Sequence, residues 1–559
     1  MKTKYFQRKI VLAICALSFI LSIGWSCKKL SIVTSTTNAV NIVGYLDEHP
    51  DSFSLFRQML SITGYDGFLS AYGHYTLFLP TNSAVKSYLK KEGKSSLTDF
   101  DVDTLKNLVK FHLLQDTVYT ISFTDGKLPY LTMYGQYLVT GASNEKGITY
   151  LTINRQANIL QSNLREGNGV IHVIDHVLQP AYSSLAQLVV NSPKYSIFGQ
   201  ALIETGLYDS LNILPAKNPD STRAWITLIA ESDSVFKAQG VNTYDELKAK
   251  YSNTGNPKDI TDSLHLFVDY HILYNANYLA DIISSSSFNT WAPTQVITTK
   301  YIGDSVLIND DIFNGVHEQG IELDRTGSDI SATNGVLHDA AGLIAIKKRS
   351  PFPVYWDICQ YPEIMSLPAY YGKQSYNYSL TNLPSFITLP SSATSAAPPS
   401  YKYGGAPYVN SDYLQVPLGS NRTPWVEFKT PLLVQGKYKV WICYRRGSSH
   451  DNINQVSIDG VALQRTINSS TYMPAGTQAD REAQGWKEYT ASEQKNYAGY
   501  LVGTIDILTT SQHALRFTNL KGGDSGFWID MIEFIPVDMD QQYPRFDVDG
   551  TPVYAPTTP

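Results

Sequence analysis

Two stretches of this 559-residue chain repeat the same ordered set of short segments, and this repeat restricts the fold more than any other feature. A repeated pattern indicates one supersecondary design used twice. The matched pairs are 55–64 with 197–206, 76–85 with 227–236, Phe111-His112 with Tyr270-His271, and 168–172 with 334–338. The separation between partners grows along the chain, which indicates insertions in the second copy. We predict two copies of one domain, over 38–182 and 183–348.

Each matched segment has a physical interpretation. The first pair predicts an amphipathic helix that ends at Gly64 or Gly206, because glycine tolerates a positive φ. The second predicts a short strand followed by polar residues that cap a helix. The third has apolar residues spaced for one helix face. The fourth predicts an Asn-Gly turn into a strand. Each copy is therefore expected to be an α+β domain.

These segments resemble the signatures of the fasciclin domain, which are found here at 76–85, Phe111-His112 and 168–178. The resemblance implies extracellular adhesion or binding modules, built from a β-wedge packed on helices, and it does not imply catalysis. The second copy departs from the pattern, so we expect it to be diverged and mostly structural. In that copy Glu231 replaces Pro80, Ala341 replaces Asp175, and Ile346 replaces Pro180.

Four histidines recur at matching positions: His112, His172, His271 and His338. A zinc site would need three or four converging ligands, and the sequence has no HExxH or CxxC motif. Each histidine instead lies in an apolar pattern, which favours a hydrogen-bonded core residue. We predict no metal ligands among them.

The remainder of the chain, residues 349–540, is rich in strands. The predicted strands are 436–446, 501–508, 513–517 and 526–535, and the segment 454–463 contains a further strand that runs into an Asp-Gly turn. Short strands at this spacing favour a β-sandwich. Their order resembles a galactose-binding-like jelly roll, as in many carbohydrate-binding modules. The motifs that carry the resemblance are 436–440, the Ile-Asp-Gly turn at 458–460, and the closing strand at 528–534. Such folds include sugar binders, protein binders and spacers.

A sugar site would need an exposed aromatic ring with polar neighbours. Trp486 lies in a polar stretch and is the predicted exposed aromatic residue, while Trp441 and Trp528 are expected to pack in the core or on a sheet face. The predicted polar ligands follow the Trp441 strand or precede the last strand: Arg445, Arg446, Asn452 and Asp524.

The end of the chain, 541–559, is predicted to be a tail. Four acidic residues, Asp538, Asp540, Asp547 and Asp549, leave calcium open as a cofactor. They do not form a complete calcium loop, so a solvated acidic segment is favoured. Cys359 and Cys443 lie beyond the N-terminal region, and whether they pair is left open.

The N-terminus has the pattern of a secretory signal, with basic residues before an apolar run from Ile10 to Ile23. It ends in a small residue before Cys27, which resembles the loose lipoprotein signals of Bacteroidetes. The resemblance implies cleavage after residue 26, lipidation of Cys27 and a tether over 27–37. A lipid-bearing cysteine would anchor the protein to a membrane. An outer-membrane location is expected, with the cell surface and the periplasmic face both open.

The charge balance of the chain argues against a nucleic-acid-binding protein. Lys and Arg number 44 against 50 Asp and Glu, so the formal net charge is −6 and nucleic acid is not an expected partner. We therefore predict a non-catalytic envelope lipoprotein of two α+β fasciclin domains and an all-β jelly roll. It would bind a polysaccharide or another glycan through the jelly roll, alongside an outer-membrane uptake system. The alternative is an adhesin or assembly factor that binds proteins through the fasciclin copies.

Overall fold

The computed structural model describes residues 40–556, except 72, 146, 368–369, 371–375, 391–397, 404–406, 420–421, 448–451, 493 and 523–525. The chain divides into two compact units, the first ending at Pro180 and the second beginning at Ala181. Across the described residues no helix is long and apolar enough to span a bilayer. Cys27 and the predicted signal and tether lie outside the described residues.

The first unit packs helices against one sheet. Its helices are α1 (Ile42–Glu48), α2 (Pro50–Thr63), α3 (Tyr65–Ser70), α4 (Asn82–Lys91) and α5 (Val102–Phe111). Its strands are β1 (Tyr75–Pro80), β2 (Leu113–Leu114), β3 (Lys127–Leu131), β4 (Tyr137–Glu145), β5 (Ile148–Ile153), β6 (Ala157–Glu166) and β7 (Gly169–Ile174). The strand order is β2-β1-β7-β6-β5-β4-β3, and β1 pairs with β7 in parallel. Helix α2 ends at Gly64 with φ 75°, which confirms the predicted helix stop.

The second unit begins with a similar arrangement. Its first helices are α6 (Leu185–Val190), α7 (Ser196–Thr205), α8 (Leu207–Ser210), α9 (Asp233–Ala238), α10 (Tyr244–Tyr251), α11 (Ser263–Tyr270) and α12 (Leu279–Ser284). The accompanying strands are β8 (Ile226–Glu231), β9 (Ile272–Tyr274), β10 (Ser287–Asn289), β11 (Val296–Ile302), β12 (Ser305–Ile308), β13 (Asp311–Phe313), β14 (Val316–Glu318), β15 (Ile321–Asp324), β16 (Ile330–Ala332) and β17 (Gly335–Ala340). Strands β8 and β17 pair in parallel, as β1 and β7 do.

The Asn-Gly segments perform the same task in both copies. The backbone N–H of Ile42 donates to Asn168 Oδ1 at 2.9 Å, and the N–H of Leu185 donates to Asn334 Oδ1 at 3.0 Å. In each case the asparagine ties the start of the first helix to the turn before the last strand. The repeated sequence therefore encodes a repeated set of contacts.

The recurring histidines are buried and bonded to nearby groups. His112 Nδ1 donates to the carbonyl of Leu108 at 2.7 Å, and its Nε2 accepts the N–H of Leu178 at 3.0 Å. His172 Nε2 lies 2.9 Å from the carbonyl of Val118. These hydrogen bonds provide partners for the buried ring nitrogens, as expected for histidines that are hydrogen-bonded core residues.

The rest of the second unit is a sandwich of two sheets. Its elements are β18 (Val354–Asp357), α13 (Pro362–Met365), β19 (Tyr376–Ser379), β20 (Ile387–Thr388), β21 (Ser400–Tyr403), β22 (Asp412–Val416), β23 (Trp425–Lys429), β24 (Gly436–Arg445), β25 (Ile453–Ile458), β26 (Val461–Asn468), α14 (Gln478–Ala483), β27 (Trp486–Lys487), β28 (Tyr497–Ile507), β29 (Ala514–Lys521), β30 (Phe527–Pro536), β31 (Arg545–Phe546) and β32 (Pro552–Val553). The large sheet has the order β19-β21-β22-β30-β24-β28-β27, with β18 beside β30. The small sheet has the order β20-β23-β29-β25-β26.

The predicted strands of the sandwich are confirmed. Strand β24 places Tyr438, Val440, Ile442 and Tyr444 in the core between the sheets, as their alternation predicts. Asp459 and Gly460 both have positive φ and join β25 to β26 in a tight hairpin.

The segment beyond residue 540 is not a free tail at its start. Gln541 accepts a hydrogen bond from Trp441 Nε1 at 2.9 Å, and Phe546 is buried in a small apolar cluster on the outer face of the large sheet. This packing keeps the first part of the predicted tail, with β31 and β32, on the sandwich. Sequence alone did not indicate it, because the segment is polar and short of apolar residues.

Candidate functional site

Trp486 is not the exposed aromatic residue that the sequence predicts. It lies on β27, where its side chain is 7% exposed and belongs to the main core of the sandwich. The ring centroid lies 4.7 Å from that of Tyr500 on the paired strand β28. The polar residues that follow it, Lys487 and Glu488, are buried as well, so the prediction of exposure is wrong.

Asn452 is also unavailable to a ligand. It is fully buried and holds a cluster of asparagines, because its Oδ1 accepts from Asn454 Nδ2 and from Asn519 Nδ2, each at 2.9 Å. Its own Nδ2 donates to the carbonyl of Leu418 at 3.2 Å. Its position is therefore structural. Asp524 lies outside the described residues.

Arg445 does contact an aromatic surface on the outer face of the large sheet. Its guanidinium carbon lies 4.8 Å from the ring centroid of Trp528, on the neighbouring strand β30. Tyr413, on β22, lies 6.1 Å from the same tryptophan. All three side chains are partly exposed. We call Tyr413, Trp528 and Arg445 the aromatic face.

Polar side chains continue this surface across the sheet. Gln415 stands opposite Trp528 in the ladder between β22 and β30, and Lys402 stands opposite Tyr413 in the ladder between β21 and β22. Both are partly exposed. Directly opposed residues point to the same side of a sheet, so these groups flank the aromatic rings. The surface therefore combines flat rings with donors and acceptors.

The small sheet carries a similar pair with a different charge balance. Arg516 lies 4.0 Å from the ring centroid of Trp425, and its Nε donates to Glu427 Oε2 at 2.8 Å. Among the described residues no carboxylate forms an ion pair with Arg445. The guanidinium group of Arg445 can therefore interact with a ligand as an unpaired cation, whereas the charge of the Arg516 guanidinium is offset by Glu427.

Arg446, the residue after β24, forms a second stack with partners other than those of Arg445. Its guanidinium lies 3.6 Å from the ring centroid of Tyr472, which is 48% exposed. Its Nε donates to the carbonyl of Ser470 at 2.7 Å. The structure thus separates the two predicted arginines onto different surfaces.

A group of buried acidic residues lies in the large sheet, where β18 and β22 both pair with β30. Possible ligand atoms of Asp357, Cys359 and Asp412 all lie within 4.8 Å of one another. Asp412 Oδ2 accepts from Tyr401 at 3.1 Å, and Asp357 Oδ2 accepts from Asn410 Nδ2 at 2.8 Å. Burial raises the pKa of both carboxyl groups, and the charge of Asp357 further raises the pKa of Asp412.

Asp530 extends this acidic group. Its Oδ2 accepts from Tyr489 at 2.7 Å and from the N–H of Val409 at 3.2 Å, while burial and the charges of Asp357 and Asp412 raise its pKa. Calcium requires six to eight oxygen ligands, and the Cys359 thiol is not one of its ligands. Burial also raises the pKa of that thiol. The group therefore suits bound protons better than calcium.

We expect this acidic group to make the second unit less stable as pH rises. The folded state retains protons that the unfolded chain releases near its ordinary carboxyl pKa of about 4. The stabilisation is therefore complete below that value and is lost as pH rises through the raised folded pKa values. Urea unfolding at pH 5 and pH 8, followed by tryptophan fluorescence, should show a lower free energy of unfolding at pH 8.

The variant Asp412→Asn tests whether the acidic group causes the loss of stability at higher pH. The amide resembles a protonated carboxyl group, so the variant should lose a large part of the difference between pH 5 and pH 8. Asp549→Asn, at a fully exposed position, is the control and should leave the difference unchanged. An unaltered pH dependence in Asp412→Asn would show that the acidic group is not responsible.

The acidic residues near the end of the chain cap turns. Asp540 Oδ1 accepts the N–H of Gln542 at 2.8 Å, and Asp549 Oδ1 accepts the N–H of Thr551 at 2.9 Å. Asp547 Oδ1 accepts the N–H of Val548 at 2.8 Å. These local bonds engage one oxygen of each of these three carboxylates.

Cys359 and Cys443 are buried free thiols, so they do not form a disulfide with each other in this structure. Cys443 lies on the outer face of the large sheet, whereas Cys359 lies beside Asp412 in the acidic group.

Comparison with known proteins supports the identification of the first copy as a fasciclin domain. The fasciclin domain model matches residues 51–180, so the chain contains a fasciclin domain there, as predicted. The chain is 30% identical over 210 residues to the transforming growth factor-beta-induced protein ig-h3 of Oryctolagus cuniculus, covering 37% of this chain and 27% of that protein. It is 30% identical over 130 residues to human periostin, covering 23% of this chain and 15% of periostin. The chain thus spans about a quarter or less of these relatives.

Two solved structures are similar to parts of the chain. The FAS1 domain pair of the insect cell adhesion molecule fasciclin I has 16% identity and a TM-score of 0.23, covering 52% of this chain and 97% of that one. A family 35 carbohydrate binding module from Clostridium thermocellum has 11% identity and a TM-score of 0.15, covering 33% of this chain and 98% of that one. That the second copy is also a fasciclin domain stays a prediction.

Proposed function

We propose that this protein is a non-catalytic, exported binding protein that captures glycans on the aromatic face of its sandwich. The observation that carries the proposal is the partly exposed Trp528 beside Tyr413 and under the guanidinium of Arg445. An aromatic ring can stack on the apolar side of a pyranose, and neighbouring donors can bind its hydroxyl groups. Gln415 and Lys402 supply such groups on the same surface.

Trp528→Ala should weaken glycan binding about thirtyfold or more, because tryptophan at the centre of a binding surface contributes at least about 2 kcal/mol. The measurement is affinity electrophoresis of the chain in gels that contain plant or host polysaccharides. Trp425→Ala is the matched control, since it removes the tryptophan stacked with Arg516 on the other sheet. Unchanged retention of Trp528→Ala, with loss in Trp425→Ala, would move the site to the small sheet.

The cellular setting is part of the proposal and rests on the N-terminal pattern. Cleavage before Cys27 and lipidation of that cysteine would attach the protein to the outer membrane, where it would serve a polysaccharide-uptake system. Metabolic labelling with a fatty acid in the native host should mark the wild type. Labelling of Cys27→Ala to the same extent would contradict lipidation at this residue.

Protein adhesion through the first copy is the second candidate function. Ile121 is 93% exposed and lies beside Leu151, Tyr119 and Arg165 around one shallow hollow of the fasciclin domain. An exposed apolar group of this kind is typical of interaction surfaces. If adhesion is the role, Ile121→Ser should abolish attachment of the protein to its partner while Trp528→Ala leaves it unchanged.

A further inference from the structure

A cavity of about 440 Å³ lies within the second unit, between its first part and the sandwich. Its lining includes Leu266 and Gln295 of the first part, which form one wall, and Gln435 and Thr510 of the sandwich, which form the other. Ligand sites occur preferentially where two domains meet, because the walls can then contact several sides of one molecule. This cavity is separate from the aromatic face.

The segment that joins the two parts carries three consecutive cations into the cavity, Lys347, Lys348 and Arg349. They are the charged residues among those that line it. Glu318, which does not line the cavity, accepts from Lys347 Nζ at 2.6 Å and from Arg349 Nε at 2.8 Å. The two cations lower the pKa of Glu318 to about 2, so the carboxylate stays charged and holds both in place.

The positive charge of Lys348, which lies between Lys347 and Arg349 in the sequence, is not offset by a carboxylate among the described residues. Glu318 forms ion pairs with Lys347 and Arg349, and Asp311 also interacts electrostatically with Arg349, so the charges of these two cations are offset. No carboxylate in the described ranges forms an ion pair with Lys348, and its side chain is exposed. The cavity therefore has a net positive charge that is concentrated on one exposed ammonium group.

Hydrogen bonds hold the two walls together. Lys429 Nζ donates to Ser286 Oγ at 2.7 Å, and Gln435 Nε2 donates to Thr294 Oγ1 at 3.4 Å. Gln435 thus crosses from the sandwich to the first part of the unit at the edge of the cavity. A ligand held by both Lys348 and Gln435 would contact both walls.

We infer that this cavity binds an acidic sugar unit through its carboxylate or sulfate group. Lys348 supplies the charge-assisted hydrogen bond, Gln435 and Thr510 bind hydroxyl groups, and Leu266 contacts the apolar side of the ring. The inference does not depend on the aromatic face, because a glycan bound there need not be charged.

The test is calorimetric titration of the full chain with trigalacturonate, with a sulfated disaccharide, and with uncharged maltotriose. We expect one of the two anionic probes to bind and maltotriose not to bind at this site. Lys348→Gln should weaken the anionic probe about tenfold, since charge-assisted hydrogen bonds are roughly twice as strong as neutral ones. Gln435→Leu should also weaken it. Which anion binds distinguishes a uronic acid from a sulfated sugar.

Two control variants show whether the anion occupies this cavity. Lys258→Gln removes an exposed cation outside the cavity and should have no effect. Trp528→Ala should also leave the anionic probe unaffected, so a failure of the aromatic face and a failure of the cavity are distinguishable. The inference is overturned if neither anion binds, or if Lys258→Gln weakens binding as much as Lys348→Gln does.

Discussion

Lys487→Met should lower the free energy of unfolding of the sandwich by about 3–5 kcal/mol, because it leaves a buried carboxylate without its cation. Lys487 and Glu533 form an ion pair at 1% and 0% side-chain exposure. Lys487 Nζ also donates to the carbonyl of Gln541 at 2.9 Å, which links the pair to the segment that covers the outer face. Urea unfolding followed by tryptophan fluorescence measures the change.

The double variant Lys487→Met with Glu533→Leu tests the cause. Replacing both members of a buried pair by apolar residues is often close to neutral, so the double variant should recover most of the lost stability. If it is as unstable as Lys487→Met alone, the loss comes from packing or from the bond to Gln541, and the charge argument fails.

His271→Ala should destabilise the first part of the second unit by about 3–5 kcal/mol, again by leaving a buried charge unpaired. His271 Nε2 lies 2.6 Å from Glu231 Oε1, and both side chains are fully buried. The same Oε1 accepts the N–H of Ile344 at 2.9 Å. The glutamate therefore stands between the histidine and the backbone, which are in direct contact in the first copy.

The first copy provides the matched comparison. Pro80 stands where the second copy has Glu231, and His112 accepts the N–H of Leu178 directly. His112→Ala removes a neutral hydrogen bond and should cost about 1–3 kcal/mol from the unpaired N–H, in addition to the lost packing of the ring. Hydrogen exchange measured on peptides of each copy reports the two effects separately. Equal losses in the two variants would contradict a charged pair in the second copy.

Local and periodic features could be predicted from the sequence. The helix stop at Gly64, the hairpin at Asp459-Gly460 and the inward face of the strand with Tyr438 and Val440 depend on neighbouring residues alone. The fasciclin domain at 51–180 could be predicted because its signature segments encode specific contacts, such as the bond from Ile42 to Asn168.

The candidate site could not be predicted in the same way. Trp486 lies among polar residues in sequence, yet its burial is decided by the pairing of β27 with β28. Trp528 belongs to a strand in which even the two acidic residues, Asp530 and Glu533, are buried, so no local pattern shows that its ring reaches the outer surface beside Arg445. The acidic group joins Asp357, Asp412 and Asp530 from three strands that are far apart in sequence.

The parallel pairing of β1 with β7 has a consequence for how the first unit forms. The strand at Tyr75–Pro80 has its central neighbour at Gly169–Ile174, so this ladder cannot close until nearly the whole unit has been synthesised. Contacts between distant segments form slowly, because the chain must first lose the entropy of a long loop. Until then the apolar strand β1 has no partner on that side. A nascent chain of this design therefore remains open, and dependent on protection from aggregation, until its last strand emerges.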